Sequence, residues 1–286
     1  MKVGLVFEGG ASRTYFTNGV IDVLIKENIK ADYVIGTSAG IGNGISYVSH
    51  QYGRNLKIGL DYMNDKRYMG KRYLIKKGNR SYYNIDFVFD KIPNVYCPLD
   101  CKAFDAFGKD VYACATNIRT GKAEYLPVTS EDKTWKALVA SCSLPLLFQP
   151  VVLNGEAYMD GGVAVPVPFS KAIQDGCDKV IVVLTRERDY RKKGFGAFTQ
   201  LAALKYREYP EFSRKLKHRN YIYNEERRLM FRLEKEGRLF VIAPDCMKNV
   251  RRTESDPGEL FELYKQGVKC AERAMPALRE YLKTEK

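Results

Sequence analysis

The sequence predicts an α/β fold in which helices cover a mainly parallel sheet. Short apolar runs alternate with stretches whose apolar residues recur at helical spacing, the pattern of βαβ units. The unbroken apolar run at 180–184 indicates a strand that is buried on both faces. The chain has 286 residues, of which 45% are hydrophobic and 28% charged. This composition excludes a mostly disordered chain.

Each strand is predicted from a short apolar run that ends at a glycine or at a turn. The predicted strands are 3–7, 33–35, 111–116, 123–128, 151–153, 157–159, 180–184 and 239–243. Two pairs of them form hairpins, because the residues 119–122 and the dipeptide Asn154-Gly155 are turn sequences.

Helices are predicted where apolar residues recur every three or four positions. They are 13–26, 39–50, 134–142 and 171–175, followed by long polar helices at 199–218, 224–236 and 257–284. The stretch 54–100 has no clean period and is predicted as mixed helix and loop. We expect residues 1–185 to form the main domain. Residues 186–286 are expected to form a basic, mainly helical extension packed on the same core.

Positive charge is concentrated in two stretches of the chain, whose formal net charge is +13. Residues 54–80 hold nine Lys and Arg against two Asp, and residues 186–252 hold nineteen against nine Asp and Glu. Tyrosines lie among these charges, which suits either anionic lipid headgroups or nucleic acid. A solvated basic face is the plainer interpretation.

Several classes of protein are excluded by simple patterns. No apolar run reaches the roughly 18 residues of a membrane span, and charge follows the first strand too early for a signal peptide. The seven cysteines are scattered and only two histidines are present, so no zinc spacing is found. We therefore expect no metal, no cofactor and reduced thiols in a cytoplasmic protein.

The residues Gly36-Thr37-Ser38-Ala39-Gly40 form a G-x-S-x-G motif between a predicted strand and a predicted helix. A nucleophilic serine is exposed by a sharp strand-to-helix turn, where larger side chains at the two glycine positions would clash. The helix that follows directs its N–H groups at a developing oxyanion. An ordinary glycine-rich turn is the alternative interpretation.

A nucleophilic serine needs a proton acceptor, and the only histidines are His50 and His218. His50 lies three turns along the same helix, whereas His218 lies among Lys and Arg at what resembles an exposed helix end. A desolvated carboxylate can do the same work, and Asp160 in Asp160-Gly161-Gly162 is the best candidate. A plain turn is again the alternative.

The loop Gly9-Gly10-Ala11-Ser12-Arg13 follows the first strand and offers backbone N–H groups to an anion. In an acyl hydrolase it would form an oxyanion hole, and in a nucleotide binder it would hold phosphate. It matches neither the G-x-G-x-x-G pattern nor the end of a P-loop, which weakens the nucleotide interpretation.

Together, the loop with its arginine, the serine motif about 25 residues later and the distant Asp-Gly-Gly resemble the patatin-like phospholipase family over about residues 3–185. The resemblance implies a three-layer α/β/α fold and a Ser–Asp dyad. It assigns these residues: Ser38 as nucleophile, Asp160 as general base, Gly9, Gly10 and Ala11 as oxyanion hole, Arg13 as support of the loop, and Gly36 and Gly40 as the turn. Residues 140–145 also match a family element, and 186–286 resemble the extension of one bacterial branch.

The chain departs from the family pattern at Ala11 and Thr14, where glycine is usual. An alanine would be strained if position 11 needs a positive φ. The apolar residues Phe16, Leu144, Leu146, Leu147 and Phe148 lie near the motifs and belong either to an acyl pocket or to the core.

The resemblance implies a serine lipid acyl hydrolase of the phospholipase A or esterase type that acts through an acyl-enzyme without a cofactor. Its partners would be a lipid or ester substrate and an anionic membrane, at whose inner face a cytoplasmic protein would lie. A non-catalytic lipid- or protein-binding module is the first alternative. A nucleic-acid or nucleotide binder is the second.

Overall fold

The structure is a computed structural model that describes residues 1–194, 196–247 and 250–284. In this part of the chain, eight strands form one sheet: β1 (Val3–Phe7), β2 (Tyr33–Thr37), β3 (Asp110–Asn117), β4 (Ala123–Pro127), β5 (Val151–Leu153), β6 (Glu156–Asp160), β7 (Lys179–Val183) and β8 (Leu239–Ile242). The order is β5-β6-β3-β2-β1-β7-β8, and β4 also pairs with β3. Four of the strand pairs are parallel, which confirms the predicted sheet.

The helices largely follow the predicted order. They are α1 (Tyr15–Lys26), α2 (Ala39–Val48), α3 (Arg54–Tyr62), α4 (Arg72–Ile75), α5 (Cys101–Ala106), α6 (Lys136–Cys142), α7 (Phe169–Gln174), α8 (Ala197–Lys205), α9 (Pro210–Lys235) and α10 (Pro257–Lys283). The stretch predicted as mixed also contains a π-helix, Phe87–Tyr96. Short 3-10 turns lie at Ala11–Thr14 and Gly161–Val163.

The predicted division of the polar segment into helices 199–218 and 224–236 is wrong. The structure ends α8 at Lys205 and then runs one helix, α9, from Pro210 to Lys235. Proline is favoured in the first turn of a helix, which accounts for the new start at Pro210. No glycine or proline lies between 218 and 224, so nothing in the local sequence stops α9 there.

Helices cover both faces of the sheet and give three layers. Successive residues of a strand point to opposite faces, so Leu5 and Phe7 of β1 join the core beneath α1, α2 and α10. Val6 points the other way, into a second core with Phe169 of α7 and Met230 of α9. These two cores confirm the predicted α/β/α arrangement and place the ends of the parallel strands between them.

The residues beyond 185 share the sheet and the core of the preceding residues. Strand β8 pairs in parallel with β7, and α10 crosses α1 at very close range. A Cβ at Gly19 would lie 2.1 Å from the carbonyl oxygen of Tyr264, and one at Gly267 would lie 2.0 Å from that of Phe16. The boundary between 185 and 186 stays a prediction. No helix in the described ranges combines the length and apolar character needed to cross a membrane.

Candidate active site

The carboxyl ends of β2 and β6 meet on one edge of β3. In the parallel pair Thr37 lies opposite Cys114, and in the antiparallel pair Asp160 lies opposite the next residue, Ala115. The other edge of β3 is taken by β4 over these residues. Because β2 and β6 approach from opposite directions along the same edge, Ser38 and Asp160 are brought together although 121 positions separate them.

Ser38 lies on a sharp turn between β2 and α2. Its φ of 54° is in the left-handed region that non-glycine residues rarely adopt, and its ψ is −137°. A Cβ at Gly40 would lie 2.5 Å from the carbonyl oxygen of Glu8, and one at Gly36 would lie 2.9 Å from the backbone nitrogen of Ile41. Both motif glycines therefore permit backbone approaches that no side chain would allow.

The end of α6 and the residue that follows it fix the nucleophile and the carboxylate relative to each other. Ser141 Oγ accepts the backbone N–H of Ser38 at 2.8 Å and donates to the carbonyl of Cys114 at 2.6 Å. Two residues on, the carbonyl of Ser143 accepts the backbone N–H of Asp160 at 2.8 Å. Ser141 and Ser143 lie in the segment 140–145 that the resemblance singled out, but their individual bonds carry no signal in the sequence.

Asp160 is a buried carboxylate with one uncommitted oxygen. Its side chain is 3% exposed, Oδ1 accepts the N–H of Gly162 at 2.7 Å, and Oδ2 has no hydrogen-bond partner among the described residues. Burial raises the pKa of Asp160, whereas the nearby Ser38 hydroxyl, the Gly162 N–H and the charge of Arg219 act in the opposite direction. A desolvated carboxylate next to a serine hydroxyl is a stronger base than an exposed one.

The glycine-rich loop lies directly against the serine. A Cβ at Gly9 would lie 3.1 Å from Ser38 Cβ. In the described part of the chain, the N–H groups of Gly9, Gly10 and Ala11 have no acceptor, whereas those of Glu8 and Ser12 on either side are paired. Three consecutive free donors therefore lie beside the serine, and they can bind an oxyanion.

Glu8 ties this loop to the end of β7 and to α9. Its carboxylate accepts the N–H of Thr185 at 2.6 Å and the hydroxyl of Tyr223 at 2.8 Å. The Thr185 hydroxyl in turn donates to the carbonyl of Gly9 at 3.0 Å. Both oxygens of the buried Glu8 are thus used to hold the loop, and Tyr223 of the extension supplies one of the bonds.

Ala11 has a φ of 49°, in the left-handed region that favours glycine. From the sequence we expected strain if this position needed a positive φ, since the family usually has glycine here. The chain adopts the positive φ despite the Cβ, at a cost of roughly 1–2 kcal/mol. Thr14 donates its hydroxyl to the Ala11 carbonyl at 2.7 Å, which closes the short 3-10 turn behind the loop.

A cavity of about 450 Å³ opens from Ser38, with an apolar wall and a basic wall that includes Lys192, Arg219 and Arg252. Leu144, Leu147 and Phe148 line it, as the acyl-pocket interpretation expected, and so do Tyr82, Tyr83 and Phe198. A smaller space of about 110 Å³ continues past Tyr83 and Cys142 towards the π-helix. For the other two residues the core alternative holds, because Phe16 lies in the core under α1 and Leu146 packs against α8 and α9.

Cations of the extension form the opposite wall of the site. The space around Ser38 and Asp160 is lined by Arg13 of the loop together with four residues that lie far away in the sequence: Arg186, Lys192, Arg219 and Arg252. We refer to these five residues as the cation cluster. Sequence reasoning placed the basic stretches outside the motifs and missed this wall. His218, the neighbour of Arg219, is exposed in mid-helix with Nδ1 2.8 Å from the Arg214 carbonyl.

Two further expectations concern Arg13 and metal binding. Arg13 is 7% exposed and lines the site beside the loop, and burial together with repulsion from Arg186 and Arg252 lowers its pKa to about 10. Its support of the loop stays a prediction. Within the described ranges, no three His, Cys, Asp or Glu side chains are grouped to hold a metal ion.

Comparison with known proteins gives relatives that share part of their length with this chain. An uncharacterized protein of Escherichia coli K12, YjjU, is 27% identical over 191 residues, which is 64% of this chain and 52% of that protein. The lysophospholipase nte1 of Aspergillus niger is 27% identical over 170 residues, 56% of this chain and 10% of that protein. The chain thus spans about half of the first relative and a tenth of the second.

Among solved structures, VipD from Legionella pneumophila is similar with a TM-score of 0.46 and 12% identity, covering 96% of this chain and 66% of that one. A model of a domain of unknown function (DUF6363) matches residues 209–283, which include α9, β8 and α10. The model of patatin-like phospholipases matches residues 5–173, which hold the glycine-rich loop, Ser38 and Asp160. The chain belongs to the patatin-like phospholipase family.

Proposed function

We propose that this chain is a serine acyl hydrolase that cleaves carboxylic esters of lipids, with Ser38 as nucleophile and Asp160 as general base. One observation carries the proposal. A serine on a strained turn lies between a buried carboxylate with a free oxygen and three consecutive free N–H groups. A nucleophile, a base and an oxyanion site are the parts that acyl transfer requires.

The chemistry follows from this arrangement. Asp160 accepts the Ser38 proton as Oγ attacks the ester carbonyl, and the N–H groups of Gly9, Gly10 and Ala11 bind the oxyanion. Collapse breaks the bond to the alcohol, which takes the proton from Asp160 and leaves an acyl ester on Ser38. Water then attacks this ester, with Asp160 again accepting a proton. Collapse releases the fatty acid, and the proton passes from Asp160 to Ser38 Oγ, which restores the enzyme.

The cavity beside Ser38 suits an acyl chain. Its wall of Leu144, Leu147 and Phe148 is apolar and begins at the serine, and the smaller space behind Tyr83 extends it. Burial of each CH₂ group contributes about 0.8 kcal/mol to binding. The lysophospholipase activity named for the Aspergillus niger relative is consistent with a single acyl chain in this cavity.

The decisive experiment is covalent labelling of Ser38. We expect a fluorophosphonate probe to label the protein stoichiometrically and a nitrophenyl ester to be hydrolysed. Ser38→Ala should abolish the label and lower hydrolysis by at least about 10³-fold, because alanine leaves no nucleophile. Circular dichroism checks that the variant is folded. Equal hydrolysis by both proteins, or an unlabelled wild type, would refute the proposal and favour a binding module.

We further propose that the enzyme works at an anionic membrane, with α8 as the contact at the mouth of the cavity. Phe198, Leu201 and Leu204 of α8 are 38%, 57% and 59% exposed, and Phe198 also lines the cavity. Lys205 and Arg207 follow on the same segment. Apolar side chains beside cations are typical of interfacial binding, and a cytoplasmic enzyme would bind the inner face.

Vesicle sedimentation tests this contact. Leu201→Glu with Leu204→Glu should reduce binding to vesicles that contain phosphatidylglycerol, and salt should reduce wild-type binding. Val152→Glu is the control, since Val152 is an equally exposed apolar residue (63%) that lies on β5 and not on α8. If the wild type does not bind vesicles, or if the α8 variant binds them equally well, the membrane proposal is wrong. The proposed chemistry at Ser38 would be unaffected.

A further inference from the structure

The cation cluster holds five positive side chains around one small space. Arg13 and Arg219 are each 7% exposed, and the space that they share with Arg186, Lys192 and Arg252 also contains Ser38. Among the described residues, none of the five forms an ion pair with a carboxylate within 4 Å. A buried cation that lacks a partner is costly, so the two buried arginines, Arg13 and Arg219, favour an anion in this space.

The nearby carboxylates balance only part of this charge. Glu8 accepts hydrogen bonds from Thr185 and Tyr223, and its charge acts on Arg13 and Lys192. Burial raises the pKa of Glu226 to about 8, so this carboxyl adds little negative charge near pH 7. Glu8 and Asp160 are the two acidic residues that line the space, against five basic ones. Positive charge therefore exceeds negative charge in the space where the alcohol part of a substrate would lie.

The cations lie close enough to repel one another. Burial, followed by repulsion from Arg219, Arg252 and Arg13, lowers the pKa of Lys192 to about 7. Burial and the charge of Arg252 likewise lower the pKa of Arg219. Aromatic rings partly hold the positions, with Arg186 Cζ 4.5 Å from the ring centre of Tyr190 and Lys192 Nζ 3.7 Å from that of Tyr223. A bound anion would relieve this repulsion.

We propose that the cation cluster binds the headgroup of the substrate and selects acyl esters whose phosphate headgroup carries a net negative charge. This inference rests on the proposed function, since it takes the acyl chain to occupy the apolar cavity. Arginine pairs well with phosphate through two parallel hydrogen bonds. A choline or ethanolamine group would place a cation against the cluster, whereas a glycerol group would not.

Binding to the Ser38→Ala protein tests the inference without turnover. The probes are hexanoyl lysophosphatidylglycerol and hexanoyl lysophosphatidylcholine, which share the acyl chain and the phosphodiester and differ in net charge. We expect titration calorimetry to give a Kd at least roughly tenfold lower for the phosphoglycerol lipid. Equal Kd values would overturn the inference. Fluorophosphonate labelling of the wild type tests the proposed function separately, so the two failures are distinguishable.

A matched pair of double variants locates the effect. Arg186→Gln with Arg252→Gln should bring the ratio of the two Kd values close to one. Arg228→Gln with Arg251→Gln removes the same charge from exposed positions that line neither cavity, and should keep the ratio. Loss of the ratio in both double variants would overturn the inference.

Two measurements on otherwise unaltered protein complete the test. Rising NaCl should reduce the preference of the Ser38→Ala protein for the phosphoglycerol lipid, because the cluster acts through charge. Inorganic phosphate should compete with this lipid, but more weakly than the lipid binds. If phosphate binds as tightly and the two lipids bind equally, the cluster is a site for free phosphate and the headgroup inference is wrong.

Discussion

The two walls of the site are built in different ways. One wall, the turn at Ser38 with the loop 9–13, is made of backbone held by glycines and by hydrogen bonds to Ser141 and Glu8. The other wall is made of long cationic side chains from segments that are distant in the sequence. The proposed nucleophile and oxyanion donors are therefore set by two short backbone segments, whereas the proposed headgroup surface is assembled largely by side chains of the extension.

Loss of the carboxylate should have the largest effect. Asp160→Asn removes the base and keeps the shape, and we expect kcat/KM for a nitrophenyl ester to fall by about 10²–10⁴-fold. Steady-state kinetics with both the soluble ester and a lipid should show the same loss, because the step is common to both. If kcat/KM fell only for the lipid, Asp160 would act in substrate binding rather than as the base.

A smaller loss is expected from the turn itself. In Gly40→Ala the new Cβ would meet the Glu8 carbonyl oxygen at 2.5 Å, so we expect a loss of about 1–3 kcal/mol in the free energy of unfolding. Gly42→Ala is the control two residues on, where nothing lies within 4 Å of the added Cβ. There we expect a gain of about 0.5–1 kcal/mol from helix propensity. Urea titration measures both, and a stable Gly40→Ala would show that the wall is less rigid than described.

The first wall was predictable because its signals are contiguous. Gly36, Ser38 and Gly40 lie within five residues between a strand and a helix. This one segment therefore predicts both the sharp turn and a nucleophilic serine. The pairing of Ser38 with Asp160 was proposed from the lack of a suitable histidine, from the Asp-Gly-Gly segment and from the order of motifs. Its physical basis, the meeting of β2 and β6 on one edge of β3, depends on a strand register that no short window contains.

The second wall was not predictable because packing alone decides which side chains face the site. Arg219 and His218 are neighbours, yet Arg219 is buried in the site and His218 is exposed. Arg252 lies beside the loop because its carbonyl accepts the N–H and the hydroxyl of Ser12, 240 positions away. Such contacts leave no periodic trace, and in the sequence these arginines belong to a diffuse basic stretch.

The link between the two walls can be tested at Tyr223. Tyr223→Phe leaves one oxygen of the buried Glu8 without its 2.8 Å hydrogen bond, and we expect a loss of about 1–3 kcal/mol in the free energy of unfolding. Tyr221→Phe is the matched control on α9, because Tyr221 is 66% exposed and should change stability by less than about 0.5 kcal/mol. If the two variants behave alike in thermal unfolding, the extension does not hold the loop.

The pH dependence of kcat/KM should show a smaller effect, which arises from Lys192 in the cation cluster. Lys192, which faces Arg13, Arg219, Arg252 and the carboxyls of Glu8 and Glu226, has a pKa lowered to about 7, so its charge is lost as pH rises from 6 to 8. We expect kcat/KM for lysophosphatidylglycerol to fall a fewfold over this range relative to a neutral soluble ester. Lys192→Arg stays charged, so the ratio of the two kcat/KM values should no longer change between pH 6 and 8. An unchanged ratio in the wild type would mean that Lys192 does not sense the headgroup.

The smallest effect is expected at Ala11, a non-glycine residue with a positive φ in a wall that otherwise uses glycine at its tight positions. Because φ is 49° there, Ala11→Gly relieves the clash of the Cβ and should raise the free energy of unfolding by about 0.5–1 kcal/mol, after the entropy that glycine adds to the unfolded chain. Asn28→Gly is the control at a similar φ of 52°, where asparagine already tolerates the conformation. The structure already holds Ala11 in the form that the loop needs, so esterase kcat/KM should change less than about threefold. A loss of stability in Ala11→Gly would show that the Cβ packs usefully against the cavity, and that the loop is held by side chains as the opposite wall is.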